Sequence, residues 1–91
     1  MTIRVELYGI PRQRAGTDLM SVTAGPEGIR LRDVFAELTR QSPGLADACF
    51  DQGDLKMEYL ASIDGETFVT DSQALVLPGQ SLLLFSADAG G

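Results

Sequence analysis

The apolar run Leu82-Leu83-Leu84-Phe85, close to the C-terminal end, is the feature that most constrains the fold of this chain. A strand with one wet face alternates apolar and polar residues, whereas a nearly continuous apolar run is typical of a strand buried on both faces. A strand of that kind needs neighbours on either side. The segment from Ser81 to Ser86 is therefore predicted to be a central strand of a sheet.

Other segments show the alternation expected of strands with one buried face. From Thr2 to Gly9 the apolar residues recur at every second position, and the same pattern predicts strands at Leu19 to Thr23, Leu55 to Ile63 and Glu66 to Val69. Asp64-Gly65 predicts a tight hairpin, because both central positions of that turn need a positive φ. Proline and glycine interrupt residues Ile10 to Gly16, which are predicted to form a loop.

One long helix is predicted between the strands. Its apolar residues are spaced so that they form one stripe of an amphipathic helix from Leu31 to Arg40: Leu31, Val34, Phe35 and Leu38. Ser42-Pro43-Gly44 ends it, and a short second helical piece is predicted from Leu45 to Phe50. Hairpins with a crossover helix predict an α+β domain, in which a mixed sheet packs against one main helix.

The order of the elements also predicts where the chain ends in space. If the first and last strands lie side by side they run parallel, and the last strand then directs the chain out of the sheet. We expect a folded domain over residues 1–85 and a flexible tail over residues 86–91. An extended tail of that length would reach about 20 Å.

Charge and composition exclude several classes of function. The 91-residue chain has thirteen acidic and seven basic residues and a formal charge of −6, which argues against binding to nucleic acid or to an anionic membrane surface. No apolar run has the length of a membrane span, and no basic and apolar leader begins the sequence, so a cytoplasmic protein is expected.

The side chains for catalysis are also scarce. The sequence has no histidine, and its single cysteine, Cys49, lies in an apolar stretch that indicates a packing role rather than a reactive thiol. One cysteine can form neither an internal disulfide nor a thiolate metal site, so no metal site is expected. The chain therefore has almost no side chains for chemistry of its own, and we expect it not to be an enzyme.

The sequence ends in two glycines, Gly90 and Gly91. A carboxylate with no Cβ beside it can enter a slot too narrow for any other residue, and glycine can bend to fit that slot. Chance, or the remnant of a tag, would give the same ending. The alternative is that other enzymes reach and activate this carboxylate.

Four stretches together identify a resemblance to a known family. They are Tyr8 to Gly16, Gly28 to Phe35, Ile63 to Glu66, and Leu77 to Gln80 followed by the apolar run. In order and spacing, and with the terminal diglycine, the chain resembles the MoaD/ThiS sulfur carriers, which have the ubiquitin-like β-grasp fold, and especially the small subunit of molybdopterin synthase. It departs from the family at Arg30, where a threonine usually caps the helix, in a tail without prolines, and in an extra segment from Leu45 to Asp54.

The resemblance implies a mechanism and a set of partners. An adenylating enzyme of the MoeB/ThiF type would use ATP to activate the Gly91 carboxylate, and a cysteine desulfurase or rhodanese-type donor would supply sulfur to give a thiocarboxylate. An acceptor such as the large subunit of molybdopterin synthase would receive the sulfur, and the carrier itself would bind no cofactor. Gly90, Ala89 and Asp88 would form the tail that enters the partner, with Asp88 either steering the tail or simply solvated.

Two questions stay open at this level. Phe85 and Phe68 are candidates for the partner interface, although a phenylalanine in a strand is more often part of the core. The sulfur could serve molybdopterin, cysteine, thiamin or another metabolite. The chain could instead be a ubiquitin-like modifier conjugated through Gly91, with Lys56 as its only lysine, or an interaction domain whose diglycine is incidental.

Overall fold

A computed structural model describes residues 1–87 of the chain. The helices are α1 (Ile10–Ala15), α2 (Leu31–Gln41) and α3 (Pro43–Cys49). The strands are β1 (Thr2–Leu7), β2 (Leu19–Thr23), β3 (Ile29–Arg30), β4 (Phe50–Asp51), β5 (Asp54–Leu55), β6 (Tyr59–Ile63), β7 (Thr67–Phe68), β8 (Leu75–Val76) and β9 (Ser81–Ser86).

The main sheet is mixed and has its last strand in the middle. Its order is β2-β1-β9-β6-β7, so β9 lies between β1 and β6. The pairing of β1 with β9 is parallel and places Val5 beside Leu82, whereas β6 runs antiparallel to β9. The predicted central position of the last strand and its parallel pairing with the first are confirmed.

The two faces of β9 differ in burial. Leu82 and Leu84 are fully buried on the face that α2 covers, whereas Leu83 and Phe85 point to the opposite face and are only half-buried. Burial on both faces was predicted from the apolar run, and it is complete on one face only. The other face of the sheet therefore keeps apolar side chains within reach of a partner.

Helix α2 supplies the second layer and lies where the apolar stripe predicts. The four residues of the apolar stripe, Leu31, Val34, Phe35 and Leu38, are all at most 2% exposed and pack in the core with residues of β1 and β9. Arg30 precedes the helix and makes no side-chain cap, as its chemistry requires. Backbone carbonyls take that role instead: Leu31 donates its N–H to Ala74 at 2.8 Å and Arg32 donates to Ser72 at 2.9 Å.

The predicted loop from Ile10 to Gly16 is wrong, because these residues form α1. Pro11 lies in the first turn, where a missing N–H costs nothing, and Gly16 ends the helix in the left-handed conformation with φ 75°. The same proline and glycine that suggested a loop are thus a helix start and a helix stop. The predicted second helical piece is confirmed as α3, which begins two residues earlier than expected.

The predicted strand from Leu55 to Ile63 is also wrong over its first half. A turn closed by the N–H of Tyr59 and the carbonyl of Lys56, at 3.0 Å, separates β5 from β6. Met57 lies in this turn and is 95% exposed, although the alternation assigned it to the buried face. The hairpin at Asp64-Gly65 is confirmed, with φ values of 56° and 72°.

Candidate functional site

The chain leaves the sheet at Ser86 and Ala87, which we call the tail root. Ser86 is the last residue of β9 and lies opposite Tyr59 of β6. Ala87 follows it and donates its N–H to the carbonyl of Glu58 at 2.7 Å. The tail was predicted to begin at residue 86, which is still in the strand, and the predicted site residues Asp88, Ala89, Gly90 and Gly91 lie outside the described residues.

The end of β1 supports strand β9 just before the tail root. Tyr8 donates its N–H to the carbonyl of Leu84 at 3.0 Å, which extends the pairing beyond β1 itself. Gly9 then turns the chain into α1, and a Cβ placed on it would lie 3.8 Å from the Ser86 hydroxyl. Strand β9 therefore has hydrogen-bonded backbone on both flanks as far as Leu84, and beyond it the tail root is held on the β6 side, by Tyr59 and Glu58.

The two predicted interface residues come together on the face of the sheet opposite α2. Phe68 on β7 and Phe85 on β9 have ring centroids 6.2 Å apart. Leu60 pairs with Phe85, and Ser62 pairs with Leu83 on one side and with Phe68 on the other. Leu60, Phe68, Leu83 and Phe85 therefore lie on one face of the sheet, and we call them the apolar patch. Phe68 is 66% exposed. Neither phenylalanine belongs to the buried core, which excludes the alternative that both are core residues. Phe85, at one end of the patch, directly precedes Ser86 of the tail root.

A groove on the helix side of the same sheet edge was not predicted. It encloses about 580 Å³ between α2 and the segment from Asp54 to Tyr59, with the buried Phe35 and Ala61 among its lining residues. Met57 and Phe68 are exposed members of its lining. The groove could not be predicted from the sequence, because the regular alternation around Met57 indicates a continuous strand and not the turn that exposes Met57.

Cys49 fits the packing role predicted for it. The residue is fully buried at the end of α3, and burial raises the pKa of its thiol, an effect that the neighbouring Tyr59 hydroxyl, Lys56 and Arg14 only partly oppose. A thiol kept protonated in the core is a poor nucleophile. Within residues 1–87, no group of three or more histidine, cysteine or carboxylate side chains could hold a metal ion, and no helix is long and apolar enough to cross a membrane.

Comparison with known proteins identifies the fold through structure. A scan against protein families finds no match, and neither does a search of curated proteins. Among solved structures, SAMP1 from Haloferax volcanii is similar over 100% of both chains, with a TM-score of 0.82 and 20% identity.

Two further similar chains come from protein complexes. A chain of the BexX/CysO complex of Amycolatopsis orientalis matches with a TM-score of 0.73 and 21% identity, over 98% of this chain and 99% of that one. A chain of the complex of subunits 1 and 2 of molybdopterin-converting factor from Helicobacter pylori 26695 matches over 100% of both chains, with a TM-score of 0.62 and 13% identity. At these identities the likeness concerns the fold, and the predicted ubiquitin-like β-grasp fold is confirmed.

Proposed function

We propose that the chain is a sulfur carrier that acts through the carboxylate of Gly91 and leaves catalysis to its partners. The observation that carries the proposal is the tail root. The central strand of the sheet, hydrogen-bonded on both flanks, delivers the chain to one fixed point at Ala87. Four residues follow in the sequence and end in two glycines, and an extended segment of that length reaches about 14 Å.

The proposed reaction has three steps, all of them catalysed by partner enzymes. An adenylating enzyme joins the Gly91 carboxylate to AMP from ATP, because a carboxylate is a poor electrophile and AMP is a good leaving group. The terminal sulfur of a persulfide from a desulfurase or rhodanese-type donor then displaces AMP and forms an acyl disulfide. In the last step a second thiol attacks the donor-side sulfur of that disulfide: the S–S bond breaks, the thiol and the donor cysteine are oxidised to a disulfide, and the electron pair stays on the carbonyl-bound sulfur as a thiocarboxylate. Attachment to the carrier gives that sulfur a high effective concentration in the acceptor enzyme.

For the acceptor we propose the large subunit of a molybdopterin synthase. The similar chain from Helicobacter pylori was solved in a complex of two subunits of molybdopterin-converting factor, which supports a protein acceptor for this fold. The BexX/CysO complex shows a similar chain solved with a different protein, which is consistent with the alternative of another acceptor. A carrier for cysteine or thiamin synthesis would use the same tail and differ in what the apolar patch contacts.

A second candidate function is a ubiquitin-like modifier conjugated through Gly91. The similarity to SAMP1 favours it, because this match has the highest TM-score of the three described and covers both chains completely. SAMP1 is small archaeal modifier protein 1, and the protein of the same name from Methanosarcina acetivorans is also similar to this chain. Carrier and modifier share the activation step, so they differ only in the nucleophile that takes the activated end.

Intact-mass spectrometry of the protein purified from its native host tests the proposal. We expect a species that ends at Gly91 and is heavier than the free acid by the replacement of one oxygen by sulfur. Conjugates with other proteins, joined through Gly91 to lysine, would favour the modifier. A chain that continues beyond Gly91 in its mature form, or one that stays a free acid when its adenylating enzyme, ATP and a persulfide donor are supplied, would contradict the carrier.

The apolar patch gives a prediction about partner binding. Phe68→Ala should weaken binding to the adenylating enzyme and raise the dissociation constant about tenfold or more, since exposed aromatic residues anchor interfaces. Because Phe68 is mostly exposed, the free energy of unfolding should change by less than about 1 kcal/mol. Calorimetric titration measures the binding. Leu19→Ala is the matched control, since Leu19 is a 42% exposed apolar residue on the far edge strand β2, and equal effects of the two variants would contradict the interface.

A further inference from the structure

The groove on the helix side of β6 and β7 has no role in the proposed sulfur transfer. It opens next to the paired part of the β6–β7 hairpin, where the N–H of Val69 donates to the carbonyl of Ala61 at 3.0 Å. Beyond this bond, residues 54–60 and 70–72 form the two walls of the groove. Three of its lining residues are only 2% exposed and give it an apolar floor: Leu31, Phe35 and Ala61.

The rim of the groove carries the most exposed large apolar side chain within residues 1–87. Met57 is 95% exposed on one wall, and Phe68 is 66% exposed on the other. Apolar side chains that stand in water beside a recessed apolar floor mark a surface where another molecule binds, because covering them removes apolar area from contact with water. Phe68 belongs to the apolar patch as well, so Met57 is the residue that distinguishes the groove from the patch.

Hydrogen bonds on either side of Met57 hold it in this position. The preceding residue, Lys56, donates its backbone N–H to the carbonyl of Cys49 at 2.8 Å and its Nζ to the carbonyl of Asp47 at 3.1 Å. Two residues after Met57, Tyr59 donates its N–H to the carbonyl of Lys56 at 3.0 Å. The exposure of Met57 is thus a property of a hydrogen-bonded turn, and a partner can bind it without the cost of ordering that turn.

The surroundings of Met57 are acidic. A second hollow, formed within residues 51–58, shares Met57 and Leu55 with the groove. The two depressions together are lined by one ammonium group, that of Lys56, and by four carboxylates: Asp51, Asp54, Glu58 and Asp71. A second copy of this chain, with its formal charge of −6, would be repelled here. Charge complementarity favours a partner that brings lysine or arginine.

The recessed floor favours an inserted side chain over a flat surface. Residues that are only 2% exposed can be covered only by a group that enters between the walls. The groove encloses about 580 Å³, which lies within the range of about 300 to 1,000 Å³ that is usual for sites of small ligands. A short flexible segment can place one apolar side chain between the walls and leave its neighbours above the acidic hollow.

We propose that the groove binds a flexible segment of a partner protein in which an apolar side chain is flanked by lysine or arginine. The apolar side chain enters between Met57 and Phe68 and covers the floor at Phe35. The flanking cation faces Asp54 and the other carboxylates of the hollow. Every residue of this contact lies within residues 1–87, and the chemistry of the C-terminal carboxylate takes no part in it, so the interaction does not depend on the proposed function.

Selection from a library of short random peptides tests this inference. The full chain is immobilised, peptides displayed on phage are bound and sequenced, and the strongest binders are then synthesised. We expect the selected peptides to be enriched, relative to the unselected library, in an apolar residue next to lysine or arginine. In NMR titrations with the synthetic peptides, the largest amide shifts should fall on residues 54–57 and 69–72. Added salt should weaken the binding, because it screens the attraction between the cations of the peptide and the carboxylates.

Met57→Gln tests the apolar part of the contact. Glutamine keeps the length of the side chain and replaces its apolar end by an amide, so the dissociation constant of the selected peptides should rise about tenfold. The melting temperature should not change, because Met57 is 95% exposed. Leu19→Gln is the matched control: Leu19 is 42% exposed on the far edge strand β2, and this variant should stay within about twofold of the parent.

Asp54→Asn tests the charged part. It removes one carboxylate between the groove and the hollow, and the dissociation constant should rise about threefold, as expected for the loss of one exposed ion pair. Asp18→Asn removes the same charge from another exposed aspartate, directly before β2, and should leave the binding within about twofold of the parent.

The inference is overturned if the selected peptides are not enriched in lysine or arginine, if the amide shifts fall outside the groove and the hollow, or if Met57→Gln binds the peptides as tightly as Leu19→Gln does. A dimer of the chain that Met57→Gln dissociates would identify a second copy as the occupant and would overturn it as well. A chain that binds the peptides as expected but transfers no sulfur would contradict the carrier and leave this inference standing.

Discussion

Deletion of Gly91 will reduce sulfur transfer in a reconstituted assay by about a hundredfold or more, since misplacing a reacting group by even about 1 Å can cost that much. The shortened chain still ends in a glycine carboxylate, but this group is withdrawn by about 3.5 Å. The melting temperature should not change, because the last hydrogen bond described in the sheet is made by Ala87, upstream of the deletion. The rate is measured with purified adenylating enzyme, sulfur donor and acceptor.

Asp88→Asn provides the control for this deletion. It keeps the length of the tail and both glycines and removes one negative charge, so the transfer rate should stay within about tenfold of the parent, the range expected when one steering charge is lost. A deletion variant that transfers sulfur at the parental rate would contradict a role of Gly91 as the reacting residue. A large loss with Asp88→Asn as well would indicate that the charge of the tail, and not only its length, positions it.

Leu84→Ala will lower the free energy of unfolding by about 3 to 5 kcal/mol, the cost of a cavity at a site that cannot collapse. Leu84 is fully buried and lies in the central strand, with Leu7 beside it on β1 and Ala61 beside it on β6. Neither the sheet nor α2 can move in to fill the space. Since domains of this size are stable by about 5 to 15 kcal/mol, the loss is a large part of the total. Urea denaturation measures it.

Leu83→Ala is the control within the same strand. Leu83 is the same residue type one position earlier, but it is half-buried on the opposite face. Its side chain borders solvent, so less contact is lost and no closed cavity is left, and we expect a cost below about 1.5 kcal/mol. Equal losses for the two variants would contradict the assignment of the buried face of β9 and, with it, the register of the central strand.

The central elements of the fold are predictable because their signals are local and mutually consistent. Strand β9 is an apolar run, α2 has a stripe at helical spacing, and Asp64-Gly65 has the residues that positive φ requires. Each depends on the chain near it and on the need to bury apolar area. The parallel pairing of β1 with β9 follows from the order of these elements once a crossover helix is present.

The errors arise where one local signal supports two structures or where distant residues decide. Pro11 and Gly16 are compatible with a loop and with a short helix, and packing of α1 against α3 favours the helix. Met57 fits a strand pattern, yet a turn places it in solvent. Arg30 offers no cap, and the carbonyls of Ser72 and Ala74, some forty residues away in the sequence, supply what its side chain does not. The sequence around Arg30 does not predict that Ser72 and Ala74 accept these hydrogen bonds.

The residue types of the candidate site could be predicted from the sequence, but their arrangement in space only in part. The diglycine and the two phenylalanines are visible in the sequence, but their arrangement is not. Phe68 and Phe85 meet because β6 lies between β7 and β9, which brings residues from two strands onto one face. Pairing between strands therefore decides which residues can act together.

The central position of β9 also has a mechanical consequence. A partner that drew the tail into an active site, as we propose, would pull on the chain along the axis of β9. The ladders to β1 and β6 lie on both sides of that axis, and their hydrogen bonds run across it, so the load is shared in shear by all of them at once. An edge strand pulled away from its sheet would instead lose its bonds one after another. The sheet would thus resist a pull on the chain that follows Ala87, and such a pull would not loosen the domain.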